Sequence, residues 1–234
     1  VCLALGAAQE SMHEHDAALS SYRDGLKYSD SHEACLIAVA KMQLRNGELD
    51  AAQQQVSALM ASASDSTAAR MLLADILLSK SEWDAAIYHF EAMLSKSPSN
   101  YAAIAKLLQL LRRSGRLAEA PKVLKDAERS SARAPIDPGF RYCQGLLARF
   151  QNNPRAALRH LNMARRDGEY GESALSAMIE IYLNPENETN WDELNIDAHT
   201  EPSDAVRAAD RLLREIGNSP RREVLACYTL MAYK

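Results

Sequence analysis

Small and large apolar residues recur along this chain at helical spacing, and the pattern itself repeats. Around residue 86 the order is Trp83-Asp84-Ala85-Ala86-Ile87-Tyr88-His89-Phe90-Glu91-Ala92-Met93-Leu94, followed by Lys96-Ser97-Pro98. Thirty-four residues earlier stand Leu49-Asp50-Ala51-Ala52 with Val56 and Leu59, and thirty-four before that His15-Asp16-Ala17-Ala18 with Tyr22 and Gly25. Thirty-four further on come Leu117-Ala118-Glu119-Ala120 with Leu124 and Ala127. A fifth copy, Pro154-Arg155-Ala156-Ala157 with Leu161 and Ala164, arrives three residues late, which fits an insertion near Ser130–Pro138. Apolar positions three and four apart form one stripe on a helix. The spacing predicts helix pairs over roughly 1–29, 33–62, 67–96, 101–130 and 138–168.

A recurring small-large-small pattern of this period resembles the tetratricopeptide repeat, in which each unit is two antiparallel helices. The fold class expected is all-α: a tetratricopeptide-repeat solenoid, a right-handed superhelix of helix pairs. Five repeats are expected at about 1–32, 33–66, 67–100, 101–136 and 137–168. A sixth, over 169–234, is interrupted by a polar, turn-rich loop at 184–202, and a further repeat starts after it. Small residues Gly6, Ala40, Ala74 and Gly145 on first helices, and Ala18, Ala52, Ala86, Ala120 and Ala157 on second helices, allow close approach. Tyr22, Val56, Phe90, Leu124 and Leu161 fill the gap to the next unit, and Pro98 stops a helix. Gly47 and Gly115 sit at turns between paired helices. Pro121 falls early in a second helix, predicting a kink or a late start. Ser203 suits an N-cap for a helix running to about Ile216, and Pro220 opens a last helix through Tyr233. No unit buries its own face, so the repeats form one array rather than separate domains.

Composition agrees. The 234 residues hold 39 alanines, the best helix former, against 3 phenylalanines, 9 glycines and 8 prolines, too little punctuation for a sheet fold. No apolar run approaches the ~18 residues of a membrane span. The opening Val1-Cys2-Leu3-Ala4-Leu5-Gly6 lacks both a basic segment and an initiator Met, so it reads as an excerpt rather than a signal peptide. Cys2, Cys35, Cys143 and Cys227 are widely spaced, which suits thiols in a reducing compartment.

Catalytic motifs are missing. No phosphate-cradling glycine loop occurs. His32-Glu33-Ala34-Cys35-Leu36 lacks the second histidine of a metalloprotease helix, and His13 and His15 would point to different faces. His89 and His160 share one repeat position and read as packing. Asn187-Glu188-Thr189 is a glycosylation sequon by pattern, read as unmodified, and Asp192, Glu193 and Asp197 lack calcium-loop spacing. Catalytic residues, metal ligands and cofactors are therefore all expected to be none.

Charge is the informative departure. Residues 1–100 carry 7 basic and 13 acidic groups, 101–170 carry 14 and 6, and 171–234 carry 6 and 12, giving −6, +8 and −6 and the net −4. A basic block between acidic ones is either a solvated face or a dock for an acidic partner. Nucleic acid does not suit it, because the block is narrow and poor in stacking aromatics. The partner-binding candidates are Arg112, Arg113, Arg116, Arg141, Tyr142, Arg149, Arg155 and Arg159. In tetratricopeptide arrays the first helices line the groove, which nominates Ala105, Gln109, Arg112 and Arg113, then Tyr142, Leu146, Arg149 and Phe150. The carboxylate clamp of chaperone-tail binders is missing, since Ile37, Met71, Asp75 and Gln109 stand at the comparable places. An acidic segment is expected in the groove of repeats four and five.

From Tyr88 onward the resemblance narrows. The segments Tyr88-His89-Phe90, Pro98-Ser99-Asn100-Tyr101-Ala102 and Leu110-Leu111-Arg112-Arg113-Ser114-Gly115-Arg116-Leu117 carry it. So do Pro138-Gly139-Phe140-Arg141-Tyr142-Cys143-Gln144-Gly145-Leu146, Ala157-Leu158-Arg159-His160-Leu161-Asn162-Met163-Ala164-Arg165 and Met178-Ile179-Glu180-Ile181-Tyr182-Leu183-Asn184-Pro185-Glu186-Asn187-Glu188-Thr189. Together they resemble the large tetratricopeptide-repeat subunit of intraflagellar transport complex A, most clearly over 86–190, with 1–85 fitting only the generic repeat. The resemblance implies a non-enzymatic scaffold supporting retrograde ciliary transport and cargo entry, at the cilium or flagellum and basal body with a cytoplasmic pool. The implied partners are the propeller-plus-solenoid subunits of that complex and its small extended subunit. The alternatives are a repeat adaptor that captures one peptide, of cell-cycle or chaperone type, and a regulator attached to an enzyme.

Overall fold

A computed structural model describes residues 1–29, 32–62, 66–183, 202–216 and 220–232. Every described element is helical, and the chain divides into two compact units, Val1–Ser97 and Pro98–Lys234. The interrupting loop expected at 184–202 lies, apart from its last residue, outside the described residues.

The first unit holds α1 (Cys2–Ser11), α2 (His15–Tyr28), α3 (Glu33–Arg45), α4 (Leu49–Ser62), α5 (Thr67–Ser79) and α6 (Trp83–Lys96). Helices pack as the pairs α1–α2, α3–α4 and α5–α6, and each second helix also meets the next first helix. The small positions explain the approach. A Cβ built on Gly6 would lie 2.4 Å from the Tyr22 ring, so only glycine lets α1 reach α2 there. Ala18, Ala40, Ala52, Ala74 and Ala86 are all fully buried. Tyr22 has a second contact: it belongs to one cluster with Ala18 of its own helix and with Val39 and Met42 of the next pair. The large side chain thus closes its own pair and the joint to the next. Burying Phe90 completely, as here, stabilises by roughly 1.5–3 kcal/mol.

The second unit holds α7 (Tyr101–Arg113), α8 (Ala120–Ser130), α9 (Pro138–Phe150), α10 (Pro154–Ala164), α11 (Gly171–Leu183), α12 (Pro202–Glu215) and α13 (Pro220–Ala232). Pro121 gives a late start. A single 3₁₀ turn at Leu117–Glu119 precedes α8, whose opening residues include the proline, where its missing N–H costs nothing. The insertion before α9 is a second 3₁₀ turn, Ala134–Ile136. Gly145 repeats the logic of Gly6, since its Cβ would meet Leu161 Cδ2 at 2.7 Å. Helix α12 starts at Pro202, so Ser203 lies inside it rather than at its cap, and α13 ends at Ala232.

Two periodic devices hold the pairs together. Four first helices carry side-chain caps: His32 accepts from Cys35 N–H, Ser66 from Ala69, Asn100 from Ala103 and Asp137 from Gly139. At the turns inside the first five pairs the backbone enters the left-handed region, at His13 (φ 62), Gly47 (81), Ser81 (61), Gly115 (74) and Asn152 (56). The residue after each donates back five positions, as Glu48 N does to Gln43 O at 2.9 Å, capping orphan carbonyls.

Candidate partner-binding surface

The fold places seven of the eight candidate residues on two kinds of helix. Arg112 and Arg113 end α7, Arg141, Tyr142 and Arg149 lie on α9, and Arg155 and Arg159 lie on α10. Arg116 stands in the turn before the 3₁₀ element. Charge in the sequence is one block; in the structure some of it is already answered.

On the first-helix side, Arg149 Nη1 donates to Glu180 Oε2 of α11 at 2.7 Å, with both side chains about three-quarters buried. The Arg112 guanidinium lies 5.0 Å from the Phe150 ring centroid, a cation–π stack joining the ends of α7 and α9. Arg113 and Gln109 are exposed. Ala105 and Leu146, nominated for the groove, are core residues at 7% and 3% exposure, because they face neighbouring helices. Arg116 forms a two-point fork on Glu119, Nε at 2.7 Å and Nη2 at 3.0 Å, and that bond holds the carboxyl below its usual range.

Arg141 and Tyr142 serve packing. Arg141 Nη1 donates to Gln144 Oε1 at 3.1 Å and stands 3.5 Å from His160 Nδ1, while its Nε is buried with no acceptor. Burial, then the charges of Arg141 and Arg159, push the His160 imidazole below its ordinary pKa. His89 is lowered the same way, by burial and by Arg70. Arg70 and Arg141 occupy one repeat position and His89 and His160 another, a recurring pairing visible in the sequence only once the helices are set side by side. Tyr142 lies 5.8 Å from the Tyr170 ring. Tyr170 in turn rests where Gly139 leaves room, 2.9 Å from a would-be Cβ. Burial raises Tyr170, and it raises the Cys143 thiol, which donates to Tyr101 O at 3.3 Å.

On the second-helix side, Arg155 and Arg159 are exposed on α10. They share that exposure with Lys122, Lys125 and Arg129 of α8 and with Arg166, four cations not singled out in the sequence. Among the described residues no group of three His, Cys, Asp or Glu side chains could hold a metal ion, and no helix is long and apolar enough to cross a membrane.

Residues 67–183 match the family described as the TT21 fifth ARM repeats domain. The chain belongs to this TT21 family. Tetratricopeptide repeat protein 21A of Mus musculus is 35% identical over 224 residues, covering 92% of this chain and 17% of that protein. Tetratricopeptide repeat protein 21B of Homo sapiens is 33% identical over 249 residues, covering 100% and 19%. The chain thus spans less than a fifth of these relatives' length. Relatedness also reaches beyond 86–190: the human alignment takes in residues 1–85, which by motif alone fit only the generic repeat. Among solved structures, the Pseudomonas aeruginosa pilF protein superposes with a TM-score of 0.58 at 14% identity, covering 97% of this chain and 95% of that one. A tetratricopeptide repeat protein of Parabacteroides merdae gives 0.54 at 12%, covering 100% and 98%. These likenesses carry the fold alone, an all-α tetratricopeptide-repeat solenoid, and TT21 membership is the recognition drawn from the segments after Tyr88.

Proposed function

We propose that this chain is a non-enzymatic part of a TT21 scaffold in intraflagellar transport complex A, supporting retrograde transport and cargo entry at the cilium. Membership of the TT21 family carries the reading. The architecture supports it: the fully buried side chains pack helix on helix, and the polar groups left at the surface suit protein partners. The partners proposed are the propeller-plus-solenoid subunits and the small extended subunit of the complex, with the protein at the cilium or flagellum and the basal body and a pool in the cytoplasm. The groove of the fourth and fifth helix pairs is a proposed seat for an acidic stretch, carried by Arg113 with Arg112, since Glu180 already answers Arg149.

The test is deletion of this segment from the parent protein in a ciliated cell. The expected result is material accumulating at ciliary tips, together with loss of co-purified complex subunits. Normal cilia with an unchanged complex overturn the reading and favour a peptide-capturing adaptor.

A further inference from the structure

Helices α8 and α10 each turn a stripe of cations away from their buried residues. On α8, Ala120, Leu124 and Ala127 are buried and Lys122, Lys125 and Arg129 occupy the opposite side. On α10, Ala157, Leu161 and Ala164 are buried, and Arg155 and Arg159 lie opposite, with Arg166 continuing the line past the helix end. All six are exposed, and among the described residues only Arg129 forms an ion pair, with Asp126 at 3.7 Å. Both helices pack on α9, so the two stripes belong to one part of the second unit.

Comparison between repeats separates this surface from ordinary solvation. The second helices α2, α4 and α6 carry Asp16, Asp50 and Asp84 in their first turns. That is where the helix dipole favours an anion. Helix α10 has Arg155 at the same repeat position with no acid in its first turn, whereas α8 has Lys122 in its first turn and Glu119 at its N-cap. A cation there opposes the dipole, so α10 keeps a charge that its own helix disfavours. The outer stripe of α6 offers Tyr88 and Glu91 at the places of Lys122 and Lys125.

We propose that the outward stripes of α8 and α10 form a docking surface for an acidic segment of a partner protein. An extended acidic chain can pass from one helix to the next without the stripes being coplanar, and Asn162 and Met163 between the cations give it a hydrogen-bonding and an apolar contact. An anionic membrane fits less well: Asp126 sits within the stripe, Glu128 and Glu169 are exposed beside it, and a flat bilayer cannot avoid them. The surface is separate from the Arg112–Arg113 groove and does not depend on the transport reading.

The test uses the full 234-residue chain and a fluorescent oligoglutamate peptide, read by anisotropy at low and high salt. Lys122→Glu with Arg159→Glu is expected to weaken binding about tenfold at low salt and to flatten its salt dependence. Arg23→Glu with Lys27→Glu, on the exposed stripe of α2, is expected to change it less than about twofold. Circular dichroism checks folding, and Lys122→Gln with Arg159→Gln, which adds no repulsion, is expected to fall between. Arg155→Asp is expected to raise Tm while weakening the peptide, a combination that general destabilisation does not produce. No binding by the wild-type chain overturns the proposal, and so does a larger loss from Arg112→Glu with Arg113→Glu than from the outer pair. Sedimentation with phosphatidylserine vesicles that oligoglutamate fails to compete away overturns it in favour of a membrane.

Discussion

Among the described residues, left-handed backbone recurs at five turns inside helix pairs, and of these only Gly47 and Gly115 supply the residue that adopts it freely. Ser81 carries a Cβ at φ 61, so Ser81→Gly is expected to gain about 0.5–1 kcal/mol, the strain relieved less the added freedom of the unfolded chain. Urea denaturation measures it, and a loss of stability contradicts the turn assignment. The opposite sign is expected at Gly145. There a methyl would meet Leu161 Cδ2 and Cγ at 2.7 Å and its backbone N at 3.3 Å, leaving no direction in which one side chain alone can yield. Gly145→Ala should cost roughly 1–3 kcal/mol in the same experiment. Ser176 offers a third case. It is fully buried in α11, and its hydroxyl has no hydrogen-bond partner. Ser176→Ala removes an unsatisfied polar group at almost constant volume and is expected to stabilise by about 1 kcal/mol; a destabilised variant would mean the hydroxyl is satisfied.

Between elements, the arginine–histidine pairs set a pH response. His89 between α5 and α6 and His160 between α9 and α10 are both held below their ordinary pKa by burial and by a neighbouring arginine. The unfolded chain therefore takes up protons first, near pH ~6.5. Stability is fully present above that value and is lost as pH falls from it towards the folded-state pKa values. Thermal melts at about pH 7.5 and about pH 5.5 should show Tm falling on acidification, and His160→Gln should shrink the fall. An equal fall in that variant would place the response in other groups. These pairs escaped sequence reading because each joins two helices nineteen residues apart, a distance at which identical spacing has no meaning until the hairpin turn is known.

At the scale of the molecule, a repeat array gains stability from each unit and each joint, so a compact stretch can stand without the rest. Residues 98–234 form such a stretch, with α9 packed on α7 and α10, and α11 packed on α10, α12 and α13. Expressed alone, they are expected to keep a helical circular-dichroism spectrum and a cooperative melt, with a coil spectrum as the contrary result. The regular parts of this fold were legible in the chain because burying one helix face imposes a period of its own, and the hairpin turn imposes another. Small residues at 6, 18, 86 and 145, the turn glycines and the late start at Pro121 all follow from constraints a few residues long. The candidate surface was legible only as a sum of charge. Whether an arginine is spent inside the molecule depends on what the next helix brings to it: Glu180 takes Arg149, Phe150 receives Arg112, and Ala105 and Leu146 turn inward. The outward stripe of Lys122, Lys125 and Arg159 becomes one feature only when two helices far apart in sequence pack on a third. Periodicity is a local property of the chain, whereas the partner of a charge is settled by long-range packing, and that is why the helices could be read directly and the surface could not.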